Sequence, residues 1–109
     1  HLCREDIARE LTYTGRVFSG EEAFAYGFAT RLEADPRAAA LATAREIAGK
    51  NPHAIRAAKR LFDLAQDGTT AELLLAESVE QKALLGSPNQ MESVMSNMQK
   101  RPANYRDPA

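Results

Sequence analysis

Apolar residues recur at helical spacing along most of this chain, and short stretches rich in helix-capping residues separate them. In residues 4–11, Ile7 and Leu11 share one face, which predicts a helix that Gly15 then breaks. Residues 29–34 alternate apolar and polar positions, which is typical of a short strand or an extended connector. No longer stretch is strand-like, so the pattern predicts a mainly α chain.

The densest group of local signals lies in residues 14–29, TGRVFSGEEAFAYGFA. Ser19 is a candidate N-cap, and Glu22 follows three positions later, so the two side chains can form a capping box. Gly27 supplies the left-handed residue that commonly ends a helix. A helix of about two turns is too short to stand alone in water, so it must dock on a larger body. Four of the chain's seven aromatic residues offer the contact surface, namely Phe18, Phe24, Tyr26 and Phe28.

The same kinds of helix start and stop signals predict four further helices in residues 35–101. Their short turns favour antiparallel neighbours packed as a helical layer. The first two helices run to about Gly49 and Gly68, the third ends at Gly86, and the fourth runs out before Pro102. Their start signals are Asp35-Pro36, Asn51-Pro52, Thr69 with Glu72, and Ser87-Pro88 with Gln90.

The leucine-rich helix carries apolar residues on more than one face. Leaving such a face in water is costly at about 1.5–3 kcal/mol per large side chain, which indicates a partner surface from another subunit or from a missing part of the same chain. On the last helix, the stripe of Met91, Met95 and Met98 is read as core or subunit contact rather than an acyl-binding surface. The leucine-rich helix presents Leu73, Leu74, Leu75, Val79, Leu84 and Leu85.

Composition narrows the class of protein. At 109 residues and 12.0 kDa the chain is one domain or part of one, and its net charge of −1 argues against nucleic acid as a partner. No apolar run approaches the length of a membrane span. Cys3 is the sole cysteine, so no disulfide or thiolate metal site forms within the chain, and a cytoplasmic setting is expected. Because His1 is not an initiator methionine, the chain is expected to begin partway into something longer.

Several short motifs occur here in a specific order. They are Thr14-Gly15-Arg16, Ser19 with Glu21-Glu22-Ala23, Gly27, Asn51-Pro52 with Ala58-Lys59, and Lys100-Arg101. In this order and spacing, from about Ala8 to Asp107, the sequence resembles the carboxy-terminal third of the enoyl-CoA hydratase/isomerase family, also called the crotonase family.

The resemblance implies a ClpP-like spiral fold whose amino-terminal α/β core is missing here. Residues 1–34 would then be the end of that core and a connector, and residues 35–109 the carboxy-terminal helical region that assembles homo-trimers, often paired into hexamers. In the family, two backbone N–H groups bind the thioester oxygen of an acyl-CoA, and in hydratases two glutamates add water. All of these precede the Thr14-Gly15-Arg16 segment, so no catalytic residue and no metal ligand is assigned to this chain.

The resemblance does imply one binding position. A lysine on the family's last helix reaches the adenosine end of coenzyme A, commonly from the neighbouring subunit, and Lys100 matches it with Arg101 beside it. A compact ammonium suits phosphates, but cations at a helix C-terminus also complement its dipole. The two readings weigh equally for Lys100, and the dipole reading is favoured for Arg101. Coenzyme A would enter as part of the substrate, so no separate cofactor is expected.

The remaining candidate residues are expected to have structural rather than catalytic roles. Glu21 and Glu22 belong to a capping turn, Glu77 and Glu80 are expected on a solvated helix face, and His53 is expected to be an exposed surface histidine. Asn97 stands where many members have an aromatic residue, and Tyr105 is expected to anchor the tail. Cys3 as a nucleophile would need a base, and the sequence offers only His1.

Two functional hypotheses from different classes follow. The first is part of an enoyl-CoA hydratase-type enzyme, with hydration of a 2-enoyl-CoA as the commonest activity and this fragment alone inactive. The alternative is a stand-alone helical oligomerisation or interaction module without catalysis. A helix-turn-helix nucleic-acid binder has little support from the charge balance.

Overall fold

The computed structural model describes residues 2–108, which form six helices and contain no strand. The prediction of a mainly α chain is therefore confirmed, and residues 29–34 form a connector rather than a strand. The helices are α1 (Glu5–Thr14), α2 (Gly20–Tyr26), α3 (Pro36–Ala48), α4 (Pro52–Asp67), α5 (Thr70–Leu84) and α6 (Pro88–Met98). No helix in residues 2–108 is long and apolar enough to cross a bilayer.

The chain divides into two compact units, one reaching to Leu41 and the other starting at Ala42. This division falls inside α3, whereas the sequence places a boundary between residues 34 and 35. The sequence-based boundary separates the expected end of the core from the helical region, and it stays a prediction.

Local signals in the first unit are realised as the sequence predicts. The backbone N–H of Glu22 donates to Ser19 Oγ at 3.2 Å, and the N–H of Ser19 donates to Glu22 Oε2 at 2.9 Å, completing the capping box. At the other end of α2, Gly27 has a φ of +88°. A Cβ atom on Gly27 would lie 2.3 Å from the carbonyl oxygen of Leu2, so the backbone passes closely here and glycine is required.

The aromatic residues around α2 meet as expected. The ring centroid of Phe18 lies 6.5 Å from that of Tyr26 and 5.7 Å from that of Phe28. The Tyr26 hydroxyl accepts a hydrogen bond from Arg16 Nη2 at 3.0 Å, and Arg16 Nη1 lies 3.0 Å from Glu22 Oε1. This network joins the capping turn to the Thr14-Gly15-Arg16 segment.

In the second unit, α4 and α5 form an antiparallel hairpin. Asn51 caps α4, and a complete capping box of Thr69 and Glu72 opens α5. Midway along, Arg60 Nε and Nη2 donate to the two oxygens of Glu80 at 2.6 and 2.7 Å. The expectation of a solvated Glu80 is thus wrong, because this pairing leaves only 20% of its side chain exposed. Among the helices of residues 2–108, α4 and α5 form the pair with the most extensive contact, and the four-helix layer stays a prediction.

Little of the apolar surface is buried. Among the described residues Ala57 is the one buried apolar residue, while the polar residues Asn89 and Ser96 are also buried. Many large apolar side chains are exposed, among them Phe62, Leu74, Leu75, Val79, Leu85 and Met98.

Candidate functional site

Lys100 occupies an unusual backbone position at the end of α6. The N–H of Lys100 donates to the carbonyl of Asn97 at 3.2 Å, and the N–H of Arg101 donates to the carbonyl of Ser96 at 3.0 Å. This is the Schellman hydrogen-bond pattern, whose left-handed residue is usually glycine. Lys100 takes that position with a φ of +51°. It therefore lies just beyond the last helix, although the sequence comparison expected it on that helix.

The other left-handed residues in residues 2–108 are all glycine, namely Gly15, Gly27 and Gly86. A side chain in this conformation costs about 1–2 kcal/mol, so the local backbone does not favour lysine here. The side chain of Lys100 is exposed, and the described residues offer it no hydrogen bond or ion pair. Its ammonium is accordingly available to a ligand, while its place at the end of α6 also complements the helix dipole.

Arg101 differs from its neighbour because its guanidinium is already engaged. Nη1 and Nη2 donate to the two carboxylate oxygens of Glu92 at 2.5 and 2.9 Å. Nε donates to Gln99 Oε1 at 2.7 Å, and Nη1 also donates to the carbonyl of Pro102 at 3.1 Å. A guanidinium has five N–H donors, and these contacts employ four of them.

Glu92 binds the tail through two kinds of donor. Besides the guanidinium of Arg101, its Oε1 accepts the backbone N–H of Asn104 at 2.8 Å. The bonds from Arg101, and then that from Asn104, lower the pKa of the Glu92 carboxyl to about 2. Glu92 is thus fully ionised at neutral pH, and only 20% of its side chain is exposed.

The tail after α6 is held at two further points. Tyr105 Oη lies 3.0 Å from Ser93 Oγ, which confirms Tyr105 as a tail anchor. Asn89 Oδ1 accepts the backbone N–H of Arg106 at 2.8 Å, and Asn89 Nδ2 donates to the carbonyl of Arg106 at 2.7 Å. We call the contacts of Asn89, Glu92 and Ser93 with residues 101–106 the tail clamp.

His53 also belongs to this region, so the expectation of an exposed surface histidine is wrong. Its Nδ1 lies 2.8 Å from Nδ2 of Asn89, and the ring is half-buried. The two bonds to Arg106 fix which end of the Asn89 amide is nitrogen, so that nitrogen must donate to His53. His53 Nδ1 is therefore an acceptor, and in the neutral ring the proton is on Nε2.

Sequence reasoning missed Asn89, Glu92 and His53 as members of one site. Asn89 sits in the first turn of α6, and Glu92 and Arg101 are nine residues apart, so no short-range spacing joins them. A tail rich in polar residues directly after a helix is the signal that could have suggested the clamp. In the start signal itself, Gln90 Oε1 accepts the N–H of Gly86 at 3.2 Å instead of the N–H of Ser87.

The other candidates form no reactive group. Glu21 lies in the first turn of α2, as expected, and Glu77 is exposed on α5. Cys3 is half-buried beside a cavity of about 420 Å³, but its proposed base, His1, lies outside the described residues. No three His, Cys, Asp or Glu side chains in residues 2–108 come together as a possible metal site.

Comparison with known proteins gives structural relatives only. No protein-family model and no curated protein sequence matches the chain. An enoyl-CoA hydratase from Polaromonas sp. JS666 matches 96% of this chain with a TM-score of 0.86 at 23% identity, and the match covers 42% of that protein. DspI of Pseudomonas aeruginosa matches 96% of the chain with a TM-score of 0.88 at 25% identity, covering 41% of DspI.

A third structure, the enoyl-CoA hydratase EchA1 from Mycobacterium marinum, matches 94% of the chain with a TM-score of 0.84 at 27% identity, and the match covers 42% of EchA1. The chain therefore spans about two fifths of the length of the structures it matches. Such partial coverage is consistent with a carboxy-terminal segment. The resemblance expected from the sequence is confirmed at the level of the fold: the chain has the mainly helical fold of the carboxy-terminal region of the crotonase proteins.

Proposed function

We propose that this chain is part of an enoyl-CoA hydratase/isomerase family enzyme that adds water to a 2-enoyl-CoA in the cytoplasm. The observation that carries the proposal is the fold match over 96% of the chain, at TM-scores of 0.86 and 0.88. In this assignment the segment supplies subunit assembly and part of the coenzyme A site. The catalytic glutamates belong to the amino-terminal portion, which also completes the substrate pocket.

Assembly is supported by the surface that the chain leaves open. On α6 the buried residues are Asn89 and Ser96, whereas Met91, Val94, Met95 and Met98 are 41–74% exposed. An apolar stripe of this kind is typical of a contact with another protein surface. We assign this stripe and the exposed leucines of α5 to contacts in a homo-trimer or hexamer and to contacts with the amino-terminal portion.

Lys100 is the residue we assign to coenzyme A. A strained backbone position occupied by lysine, with an exposed ammonium, is more readily explained by a ligand than by the fold. The ligand would be a phosphate at the adenosine end of the coenzyme, because an ammonium is a compact point charge that suits such groups.

The test uses the complete enzyme that contains this chain, with crotonyl-CoA as the substrate. We expect hydration by the complete protein and none by residues 1–109 alone. Replacement of Lys100 by alanine should weaken coenzyme A binding while sedimentation shows unchanged subunit association. A complete protein that assembles but does not turn over any enoyl-CoA would overturn the proposed reaction.

The alternative is a stand-alone helical oligomerisation or interaction module without catalysis. The exposed stripe on α6 and the leucines of α5 favour association in this case as well. The two hypotheses separate when residues 1–109 are expressed alone. A stable, uniquely folded oligomer of this chain would favour the module, whereas aggregation that is relieved by co-expression with the amino-terminal portion would favour the enzyme.

A further inference from the structure

Lys100 lies between two points at which the backbone is held. On the helix side, the N–H groups of Lys100 and Arg101 donate to carbonyls in the last turn of α6. On the tail side, Glu92 binds both the guanidinium of Arg101 and the backbone N–H of Asn104. The direction of the Cα–Cβ bond of Lys100 is therefore set from both sides.

We infer that Glu92 and Arg101 are positioning residues, which hold Lys100 so that its ammonium meets the coenzyme, and that Arg101 does not itself contact the coenzyme. This inference rests on the proposed coenzyme A site at Lys100. The inference gives Lys100 and Arg101 different roles: Lys100 contacts the coenzyme, and Arg101 holds Lys100 in place.

The main argument is that the guanidinium of Arg101 already makes hydrogen bonds within the chain. Four of its five N–H groups already donate within residues 92–102, and the carboxylate of Glu92 lies 2.5–2.9 Å away. A phosphate approaching Arg101 would meet that carboxylate at close range, and like charges repel. Glu92 balances the charge of Arg101, whereas no residue in 2–108 pairs with the ammonium of Lys100.

The conformation of Lys100 is the second argument. A left-handed lysine tends to relax to a right-handed or extended conformation when nothing holds it. Without the Glu92–Arg101 pair, the helix-side hydrogen bonds would oppose that change together with clamp contacts that begin four residues further on, at Asn104. The Lys100 side chain would then sample several directions, and its contribution to binding would fall although the residue is still present.

The experiment measures the binding of coenzyme A and of 4′-phosphopantetheine to the complete enzyme by calorimetry. The second probe lacks the adenosine part, so it reports on the rest of the site. We expect Lys100→Ala and Glu92→Gln each to raise the Kd for coenzyme A by about threefold to tenfold and to leave the Kd for 4′-phosphopantetheine unchanged. The double variant should bind no more weakly than Lys100→Ala alone, because Glu92 acts through Lys100.

The sign of the Glu92→Gln effect separates the two roles of Arg101. Were Arg101 a direct ligand, removal of the Glu92 charge would release its guanidinium and tighten coenzyme A binding, which would overturn the inference. Arg101→Lys gives a second reading, because it keeps the charge but loses the paired contact with Glu92. Unchanged affinity in Arg101→Lys contradicts positioning, whereas weakening in both Arg101→Lys and Glu92→Gln supports it, because a direct ligand would make the two effects opposite in sign.

Glu80→Gln is the matched control, since it weakens another Arg–Glu contact made of two hydrogen bonds, on the α4–α5 hairpin. It should not change the ratio of the two Kd values. If Lys100→Ala leaves coenzyme A binding unchanged, the proposed site itself fails. If Lys100→Ala weakens binding and Glu92→Gln does not, the site stands and the positioning role is wrong.

Discussion

The side-chain amide of Asn89 pairs with the backbone of Arg106 much as one β-strand residue pairs with another. Its oxygen accepts the N–H of Arg106 at 2.8 Å, and its nitrogen donates to the carbonyl of the same residue at 2.7 Å. The second hydrogen atom on the amide nitrogen of Asn89 is donated to Nδ1 of His53, on α4. A single buried side chain therefore connects α4, α6 and the tail.

Replacing Asn89 by alanine should release the tail, because the paired backbone groups of Arg106 and the ring of His53 lose their partner together. Loss of partners at a buried position typically costs about 1–3 kcal/mol. We expect faster hydrogen–deuterium exchange in residues 101–108 and a lower midpoint of thermal unfolding for the complete protein. Asn97→Ala, at an exposed position of the same helix, is the control. Equal exchange in the two variants would refute the clamp.

Gly27→Ala should lower the free energy of unfolding more than Gly15→Ala does. Both glycines have positive φ, so both variants incur the cost of about 1–2 kcal/mol for a left-handed alanine. A Cβ atom on Gly27 would in addition lie 2.3 Å from the carbonyl oxygen of Leu2, whereas nothing lies within 4 Å of one on Gly15. Denaturant unfolding of the two variants isolates this steric difference, and similar losses would mean that the segment around Leu2 shifts freely.

Acid should loosen the tail through Glu92. Its pKa in the folded chain is about 2, below the ordinary value of 4.5, because Arg101 and the N–H of Asn104 bind the carboxylate. The unfolded state therefore binds more protons between these values, and the stabilisation is complete above about pH 4.5 and lost as the pH falls towards 2. The protection of residues 101–108, taken as exchange relative to the intrinsic amide rate at each pH, should fall over this interval.

The Glu92→Gln variant should lack that pH dependence, since its tail is already loosened at neutral pH and gains no proton at position 92. Glu77→Gln provides the comparison, because Glu77 is exposed and makes no ion pair within residues 2–108. Exchange profiles of Glu92→Gln that follow those of Glu77→Gln would show that the carboxylate of Glu92 does not hold the tail.

Lys100→Gly should stabilise the protein while weakening binding at the coenzyme A site proposed above. Glycine removes the strain of the left-handed position, and part of that gain is offset by the greater freedom of the unfolded chain, which leaves about 0.5–1 kcal/mol. Lys100→Ala removes the same side chain without relieving the strain, so it should lose affinity without gaining stability. A Lys100→Gly variant that is no more stable than Lys100→Ala would contradict the backbone argument.

The sequence predicts this structure well where the determinants are local. The capping boxes of Ser19 with Glu22 and Thr69 with Glu72 depend on residues three apart, and both form as expected. The left-handed Gly27 is predictable for the same reason. Such features depend only on residues that are close in sequence, so they can be predicted without knowing the tertiary contacts.

Pairings between distant positions were not predictable from spacing. Arg60 and Glu80 are twenty residues apart, and His53 and Asn89 are thirty-six apart. Each pair forms only after the helices have packed, so an exposed reading of Glu80 and His53 was reasonable and wrong. On α6 the methionine stripe indicated that the apolar face is buried. The structure instead buries the polar residues Asn89 and Ser96 and leaves the methionines exposed.

At residues 104 and 106 the tail clamp binds main-chain atoms, whereas at residues 101 and 105 it binds side chains. Glu92 accepts from the peptide nitrogen of residue 104, and Asn89 binds both peptide groups of residue 106. Almost any amino acid can therefore replace Asn104 or Arg106 without loosening these bonds, and proline alone, which has no N–H, is barred. Over evolutionary time these two positions are free to drift to suit a neighbouring surface while the course of the tail stays constant.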